Sequence, residues 1–421
     1  MDAKRIEIVS QNDVWAVAFV RESQVVGGHG TGDICRWNIT DGEQQGPTMQ
    51  ASGGPSGILS IAVSRDGQFM VTGDYRNKAI VWKLATHEKV REFTEHSTNV
   101  TGVDISSDGA KFASADLSSA QIFSINSGIR LLSPLSHDRV AGVKFSPDRS
   151  RLATASEDYG VRVYNTNDGS ILFNSGLDGS TGAESRTRLA WSSDSQQLFV
   201  APRGKIICFD LFEPSPSEWP IHENGNPVYI ASNGRFIACA AGSSVSLWDC
   251  ASHKQISGII KHTTRVGCVA LSPSGRYLAC GNGRNVTIHD LRGVLPAEYF
   301  DCGPPLIQVT DETLKSWRQD DLTNAESLLS EEITSTSIPK HYVLANRALI
   351  RARLGCFANA MKDAEESLQV QPSPIGYIAK AVTLLGQGDR EGALWIFDFA
   401  SHDCEPHDNK FLLLLKVREV I

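Results

Sequence analysis

Along roughly the first 300 positions, short apolar runs alternate with turn-forming residues, and the alternation itself repeats. Each repeat holds three runs. The first reads WAVAF, LSIAV, VTGVDI, VAGVKF, RLAW, PVYIA or VGCVAL. The second reads QFMVTG, KFASA, RLATAS, QLFVA, RFIACA or RYLACG. The third is β-branched and reads ICRW, AIVW, AQIF, VRVY, IICF, VSLW or VTIH. An aromatic or a stand-in closes the third run at Trp37, Trp82, Phe123, Tyr164, Phe209, Trp248 and His289, at intervals of 39 to 45 residues. The turn signals SRDG, SSDG, SPDR, SSDS, SNG and SPSG separate the first run from the second. Runs of this kind bounded by such turns predict strands.

Self-similarity at this period, with several strands per unit, predicts the blades of a β-propeller. A sheet that is apolar on both faces cannot bury both alone. Radial stacking covers each sheet with two neighbours, and ring closure leaves only short edges. Seven units suffice for a ring. The run Ile6-Glu7-Ile8-Val9 precedes the first unit and is predicted to complete the last blade as its outer strand.

On these residues the chain resembles the WD-repeat family over about positions 4–300. Trp248-Asp249 preserves the signature dipeptide. The resemblance implies a buried network joining a His before the first strand, a Ser or Thr on the second, an Asp in the next turn and the aromatic. The fourth unit matches with His137, Thr154, Asp158 and Tyr164, and His96 and His262 match the His place elsewhere. In the seventh unit His289 replaces the aromatic, and no Asp lies in the turn.

The period changes past AEYFDCGPPL, residues 297–306. Leu328, Leu329 and Ile333 share a helical face with Ala325. His341 to Pro372 reads as two helices around a turn at Gly355. The pattern returns after 33 residues, pairing Ala348 with Ala381, Gly355 with Gly388 and Ala360 with Ala393. This segment resembles the tetratricopeptide repeat. A weaker copy spans about 310–339, and a final helix over 408–421 is expected to cap the stack with Phe411, Leu412, Leu415 and Val417. The expected fold is therefore multidomain, β then α: a seven-bladed β-propeller over 1–302, followed by a short all-α, TPR-like helical-repeat solenoid over 307–421. This domain order is similar to that of fungal WD-repeat/TPR proteins and of certain eukaryotic ubiquitin-ligase substrate receptors. The abrupt end at Ile421 fits a piece of a longer parent.

Composition narrows the function. The net charge of −8 argues against a nucleic-acid partner, which would call for a basic face. The start MDAKRIEIVS has no apolar core for secretion, and no run of about 18 apolar residues would span a membrane. The nine cysteines are scattered without CxxC, and Cys35, Cys208, Cys239, Cys268 and Cys280 fall inside strand patterns. That usage fits thiols in a reducing cytoplasm or nucleus.

Chemistry is sparse. Gly27-Gly28-His29-Gly30-Thr31-Gly32 lies between two strand runs, so it reads as a turn and not as a phosphate loop. His402, Cys404 and His407 suit zinc by type, but no second ligand pair follows at finger spacing. Neither GxSxG nor HExxH occurs, and nothing marks a third group to orient Cys356 and His341 as a nucleophile pair. No catalysis, cofactor, metal or small-molecule substrate is expected. Asn346 matches one place of the carboxylate clamp found in some tetratricopeptide repeats, but Ile375 and Ala379 stand at its cationic places. Arg347 and Arg351 share a helix face, suited either to contact a ligand or to pair with Asp363, Glu365 or Glu366. Asp290 and Arg292 are similar to the box by which some propellers dock on a cullin-ligase adaptor.

The expected function is a non-enzymatic protein-binding scaffold or adaptor. Trp15, Tyr75, Arg76, Tyr159 and Arg284 are candidate contacts in the loops, since aromatics and arginines dominate hot spots. Arg292, Asn346, Arg347 and Arg351 complete the candidate set. Two alternatives are a substrate receptor of a cullin-type ligase and a detached sensor module of a larger signalling protein.

Overall fold

The computed structural model describes residues 5–51, 56–178, 189–212, 215–222, 228–296, 299–300, 310–318, 321–333 and 340–403. Contacts divide the chain into two compact units, Met1–Asp301 and Cys302–Ile421.

The first unit contains seven antiparallel sheets of four strands each. In the first blade the strands are Val14–Val20, Gln24–His29, Asp33–Asn38 and Met49–Gln50, paired in chain order. The later blades begin with Ile58–Val63, Gly102–Ile105, Val140–Phe145, Leu189–Trp191, Val228–Ser232 and Cys268–Leu271. Each of these innermost strands packs against that of the next blade, and the seventh returns to the first. The array is a closed seven-bladed β-propeller.

The alternation of side chains along a strand explains why the runs are apolar throughout. In Phe236–Ala241 of the sixth blade, Ile237, Cys239 and Ala241 pack with Phe199 and Ile206 of the fifth. Phe236, Ala238 and Ala240 pack with Val269 and Leu278 of the seventh. Similar apolar clusters fill the other seams. Each fully buried Val, Leu, Ile or Phe contributes about 1.5–3 kcal/mol.

The turn signals act through one hydroxyl. Ser64 Oγ donates to Asp66 Oδ1 at 2.6 Å and accepts from the Phe69 N–H at 2.9 Å. Ser106 and Asp108 repeat this at 2.6 Å. The turn then needs a left-handed residue, which is Gly67 (φ 68°) and Gly109 (φ 69°).

The glycine-rich stretch differs in part from the expected turn. Gly27, Gly28 and His29 belong to the second strand, and the turn starts at Gly30. A Cβ on Gly28 would lie 2.5 Å from Ile58, and one on Gly27 would lie 2.8 Å from the Trp37 ring. These glycines let the chain approach its neighbours closely.

Arg5–Val9 closes the ring as expected. It pairs antiparallel with Asn285–Asp290, placing Ile6 opposite Ile288 and Ile8 opposite Val286. Ile8 is buried with residues of the first and seventh blades. Asn285 Nδ2 donates to Glu7 Oε1 at 2.8 Å across the ladder.

The second unit is helical: α1 (Asp311–Arg318), α2 (Leu322–Glu332), α3 (Lys340–Arg353), α4 (Phe357–Val370), α5 (Pro374–Gly386) and α6 (Arg390–Asp403). Asp321 caps α2 and Ser373 caps α5, where Pro374 follows at the first turn. Gly355 (φ 77°) and Gly388 (φ 86°) sit in the turns after α3 and α5. Small residues let the helices meet closely: Ala345, Ala348, Ala364 and Ala379 pack around Ile375. Ala381, Ala393 and Ala400 pack with Ile396. Ala325 and Leu329 of α2 pack with Val343 and Ile350 of α3. The expected capping helix over 408–421 lies outside the described residues, as does most of 297–306. Among the described residues, no helix is long and apolar enough to cross a membrane.

Deleting residues 1–10 removes the strand over Asn285–Asp290 and uncovers a ladder edge, which invites edge-to-edge association. The truncated chain is expected to melt lower than the intact one and to scatter more light at equal concentration. Differential scanning fluorimetry with light scattering reads both.

Candidate interaction face and the polar network behind it

The turns between second and third strands lie on the same face as the segments that enter the first strands. Contacts link them from blade to blade. The Arg284 guanidinium lies 3.9 Å from Asp13, two residues before Trp15. The Trp15 and Tyr75 rings meet edge to face with centroids 5.8 Å apart. Asn77 Nδ2 donates to the Ser97 carbonyl at 3.2 Å. The Arg139 N–H donates to the Leu117 carbonyl, and the Arg139 side chain pairs with Glu157 at 2.8 Å and Asp158 at 2.9 Å. Trp15, Tyr75, Arg76, Tyr159 and Arg284 thus share one face of the disc. Tyr75 is 44% exposed and Tyr159 46% exposed, so both rings are presented to solvent. Trp15 is seated deeper: its ring occupies the space that a Cβ on Gly57 or Gly30 would need.

Leu117, Arg139 and Glu157 join this face without having stood out in the sequence. Leu117 occupies in the third blade the turn place that Tyr75 holds in the second, and is also exposed. That equivalence is the signal that finds it.

Buried polar side chains hold these turns from behind. In the third blade His96 Nε2 and Ser114 Oγ are 2.7 Å apart, and His96 Nδ1 lies 3.4 Å from Asp116 Oδ2. Asp116 accepts from the N–H groups of Ser97, Ser118 and Ser119, each at 2.9 Å. One carboxylate therefore fastens the segment entering the blade to the turn that shapes the face. Burial pushes its pKa up, but His96 and the Ser118 and Ser119 hydrogen bonds outweigh this and hold it far below the usual range. In the second blade Asp74 accepts from the Arg76 and Lys78 N–H groups, and Trp82 Nε1 donates to Thr72 at 3.0 Å.

The fourth blade corrects the expected network. His137 Nδ1 and Thr154 Oγ1 do pair at 2.7 Å, and the Tyr164 hydroxyl, which also interacts with Thr154, donates to the Ser136 carbonyl. Asp158 is 50% exposed at its side chain and pairs with Arg139. Its expected place, two residues after Thr154, belongs to Ser156, which donates to the Asp138 carbonyl at 2.7 Å and accepts from the Tyr159 N–H at 3.0 Å. Burial, with Arg162 nearby, pushes the His137 pKa down to about 4 despite its contact with the Tyr159 carbonyl and nearby Asp138.

The remaining candidates are placed differently. Arg292, just past the end of the third strand of the seventh blade, is half exposed, and its guanidinium grips Asp290, with Nε 2.9 Å from Oδ1. Asn346 is fully buried within the helical unit, so it offers no surface contact. Arg347 makes two 2.8 Å bonds to Asp363. Arg351 bridges Glu326 and Asp363, each at 2.7 Å. Both arginines are thus engaged internally, around a carboxylate that is itself buried. The side chains of His402, Cys404 and His407 lie outside the described residues.

Residues 47–83, 87–123, 129–165 and 254–290 match the family model described as WD domain, G-beta repeat. These four stretches of the disc match WD40 repeats. Each matched window starts near the outer strand of one blade and ends on the third strand of the next, so repeat and blade are out of phase. Among curated relatives, actin-interacting protein 1 of Caenorhabditis elegans is 35% identical over 114 residues, 25% of this chain and 18% of the relative. Apoptotic protease-activating factor 1 of Homo sapiens is 32% identical over 133 residues, 30% of this chain and 10% of the relative. The WD repeat-containing protein SL1-17 of Schistosoma mansoni is 26% identical over 140 residues, 33% of this chain and 46% of the relative. The chain thus spans less than half the length of each of these relatives. The disc also matches the crystal structure of RRP9 WD40 repeats, with a TM-score of 0.60 at 17% identity, covering 68% of this chain and 97% of that one. A chain in the crystal structure of the mitotic checkpoint complex matches with a TM-score of 0.59 at 16% identity, covering 69% and 95%. These two likenesses establish the fold.

Two expectations follow for the network of the disc. Asp116→Ala leaves several N–H groups unsatisfied and is expected to cost at least about 2 kcal/mol. Asp158→Ala at the exposed site should change stability by less than about 0.5 kcal/mol. Urea denaturation of both variants checks the contrast. His137 is neutral in the folded chain and binds its proton more readily when unfolded, so stability falls as the pH drops from about 6.5 towards 4. By pH 5 its share of that loss is about 1–2 kcal/mol. His137→Gln is expected to flatten the pH dependence of the denaturation midpoint by that amount.

Proposed function

We propose that this chain is a non-enzymatic protein-binding scaffold that engages its partner through the face carrying Trp15, Tyr75, Arg76, Tyr159 and Arg284. WD40 propellers are in general protein-interaction scaffolds, and one structural neighbour belongs to a multiprotein assembly, the mitotic checkpoint complex. The observation that carries the reading is the continuous presentation of two tyrosines, a leucine and several arginines on turns tied to buried side chains. Such turns do not reorganise on binding, which lowers the entropic cost of association. Exposed aromatics and arginines supply hot spots.

The helices fit a tetratricopeptide-like arrangement that adds a second binding surface. The recurrence of α3–α4 as α5–α6, with glycine turns at Gly355 and Gly388 and alanines between the helices, supports this. The internal pairing of Arg347 and Arg351 moves attention from these cations to Trp395, which is 62% exposed on α6. A ligase-receptor reading draws on the exposure of Arg292 beside Asp290. The detached-sensor reading draws on the short share of much longer relatives that this chain matches.

Affinity purification with mass spectrometry on the full chain tests the scaffold reading. Tyr75→Ala combined with Arg76→Glu and Tyr159→Ala is expected to lower partner recovery at least about tenfold, as loss of one hot spot of about 1.4 kcal/mol would. Melting should be unchanged. An unchanged partner list in this variant, with loss on Trp395→Ala, would move recognition to the helices.

A further inference from the structure

The seventh blade departs from its siblings at the places of the polar network. His262 stands before its first strand, as His96 does in the third blade and His137 in the fourth. Cys280 stands on the second strand where Ser114 and Thr154 stand, two residues beyond the partner of the third-strand aromatic. His289 stands at the aromatic's place, opposite Leu278. A hydroxyl, a carboxylate and an aromatic are thus replaced by a thiol, Asn282 and an imidazole.

The replacements converge. One ligand atom from each of His262, Cys280 and His289 lies within 4.8 Å of the other two, and all three residues are buried. The two imidazoles cross edge to face with centroids 5.0 Å apart. Among the described residues, neither ring nitrogen of His262 has a hydrogen-bond partner, nor does Nε2 of His289. Buried polar atoms without partners are rare in native structures and ask for an explanation, such as an ion.

We propose that His262, Cys280 and His289 hold one thiophilic d10 metal ion, Zn2+ or Cu+, inside the seventh blade. Two imidazoles and a thiolate are the soft donor set that selects these ions. Bonds of about 2.0–2.3 Å bring donors to about 3.3–4 Å from one another, so small side-chain rotations close the present spacing. On binding, the Cys280 S–H bond breaks, its proton leaves to solvent and the sulfur forms the metal bond with the retained electron pair. Three donors complete a trigonal Cu+ site, and the Cu+–thiolate pair is neutral beside Arg5, which lies opposite His289. Zn2+ needs a fourth donor, such as water. Whichever ion binds, it joins the entry segment and the second and third strands of the blade on which the closing strand rests. The three residues are 18 and 9 positions apart on separate elements, a spacing that no linear zinc motif contains.

The test uses the full chain carrying Cys356→Ser, which removes an exposed thiol. The protein is stripped with chelator under reductant, loaded with Zn2+ or with Cu+, desalted and assayed for metal and for melting temperature. About one equivalent of one ion, with a raised melting temperature, is the expected result. The arm that loads identifies the ion. Cys280→Ala and His289→Phe should each lose the ion and the shift, the latter keeping an aromatic where Phe123 and Phe209 stand. Cys239→Ala, at the same place in the sixth blade, and Cys404→Ser should keep both. Co2+ offers a second readout: a thiolate-to-cobalt charge-transfer band present in the parent and absent in Cys280→Ala. A parent chain that binds no more of either ion than Cys280→Ala, or an ion that survives both Cys280→Ala and His289→Phe, overturns the proposal.

Discussion

The structure depends on one constraint: every blade is apolar on both faces. A sheet of this kind has no stable life alone, and a stack of them has two exposed ends until it bends into a ring. Ile237, Cys239 and Ala241 on one side of a strand, and Phe236, Ala238 and Ala240 on the other, show the demand at its plainest. Closure satisfies it at every seam at once. The rigidity of the disc follows, since no blade can shift without opening two apolar interfaces.

That rigidity is what the turns borrow. Asp116, Asp74 and Ser156 bind backbone N–H groups of turns whose outer side chains form the proposed interaction face. Fold and face are therefore coupled through a handful of buried oxygen atoms. The seams tolerate many apolar residues, whereas these oxygens have specific donors to meet. Variation among the blades is accordingly sharpest in the polar positions: Asp116 in the third, Ser156 in the fourth, Asn282 in the seventh.

Much of this was legible in the chain. Strand runs, turn signals and the leftover Ile6–Val9 segment were enough to anticipate seven blades and their closure, because periodicity reports burial directly. The alanine recurrence likewise marked where helices meet. Errors arose where spacing along the chain stood in for pairing across it. Asp158 matches the family's Asp place by its position in the turn, yet Ser156, two residues after Thr154 as Asp116 is after Ser114, is the residue that holds that turn. Asn346 turns inward and presents nothing to a partner, whereas the pairing of Arg347 with Asp363, a carboxylate from a different helix, was among the readings the sequence offered. His262, Cys280 and His289 were invisible as a group for the same reason, since only the folded blade brings them together.

The phase shift between repeat and blade has a consequence for how the chain is made. The segment that closes the ring is synthesised before the other described strands of the disc, and Glu7 meets Asn285 only 278 residues later. At about 5–20 residues per second, roughly 15 to 60 s of translation separate the strand from its partner. Throughout that interval an apolar edge strand stays unmatched while six blades are laid down beside it. Its alternation of Arg5 and Glu7 with Ile6 and Ile8 keeps one side charged, which makes self-association on the ribosome less favourable. The latch of the disc is thus also the part of the disc with the longest wait, and its composition suits a segment that must remain soluble before it can fold.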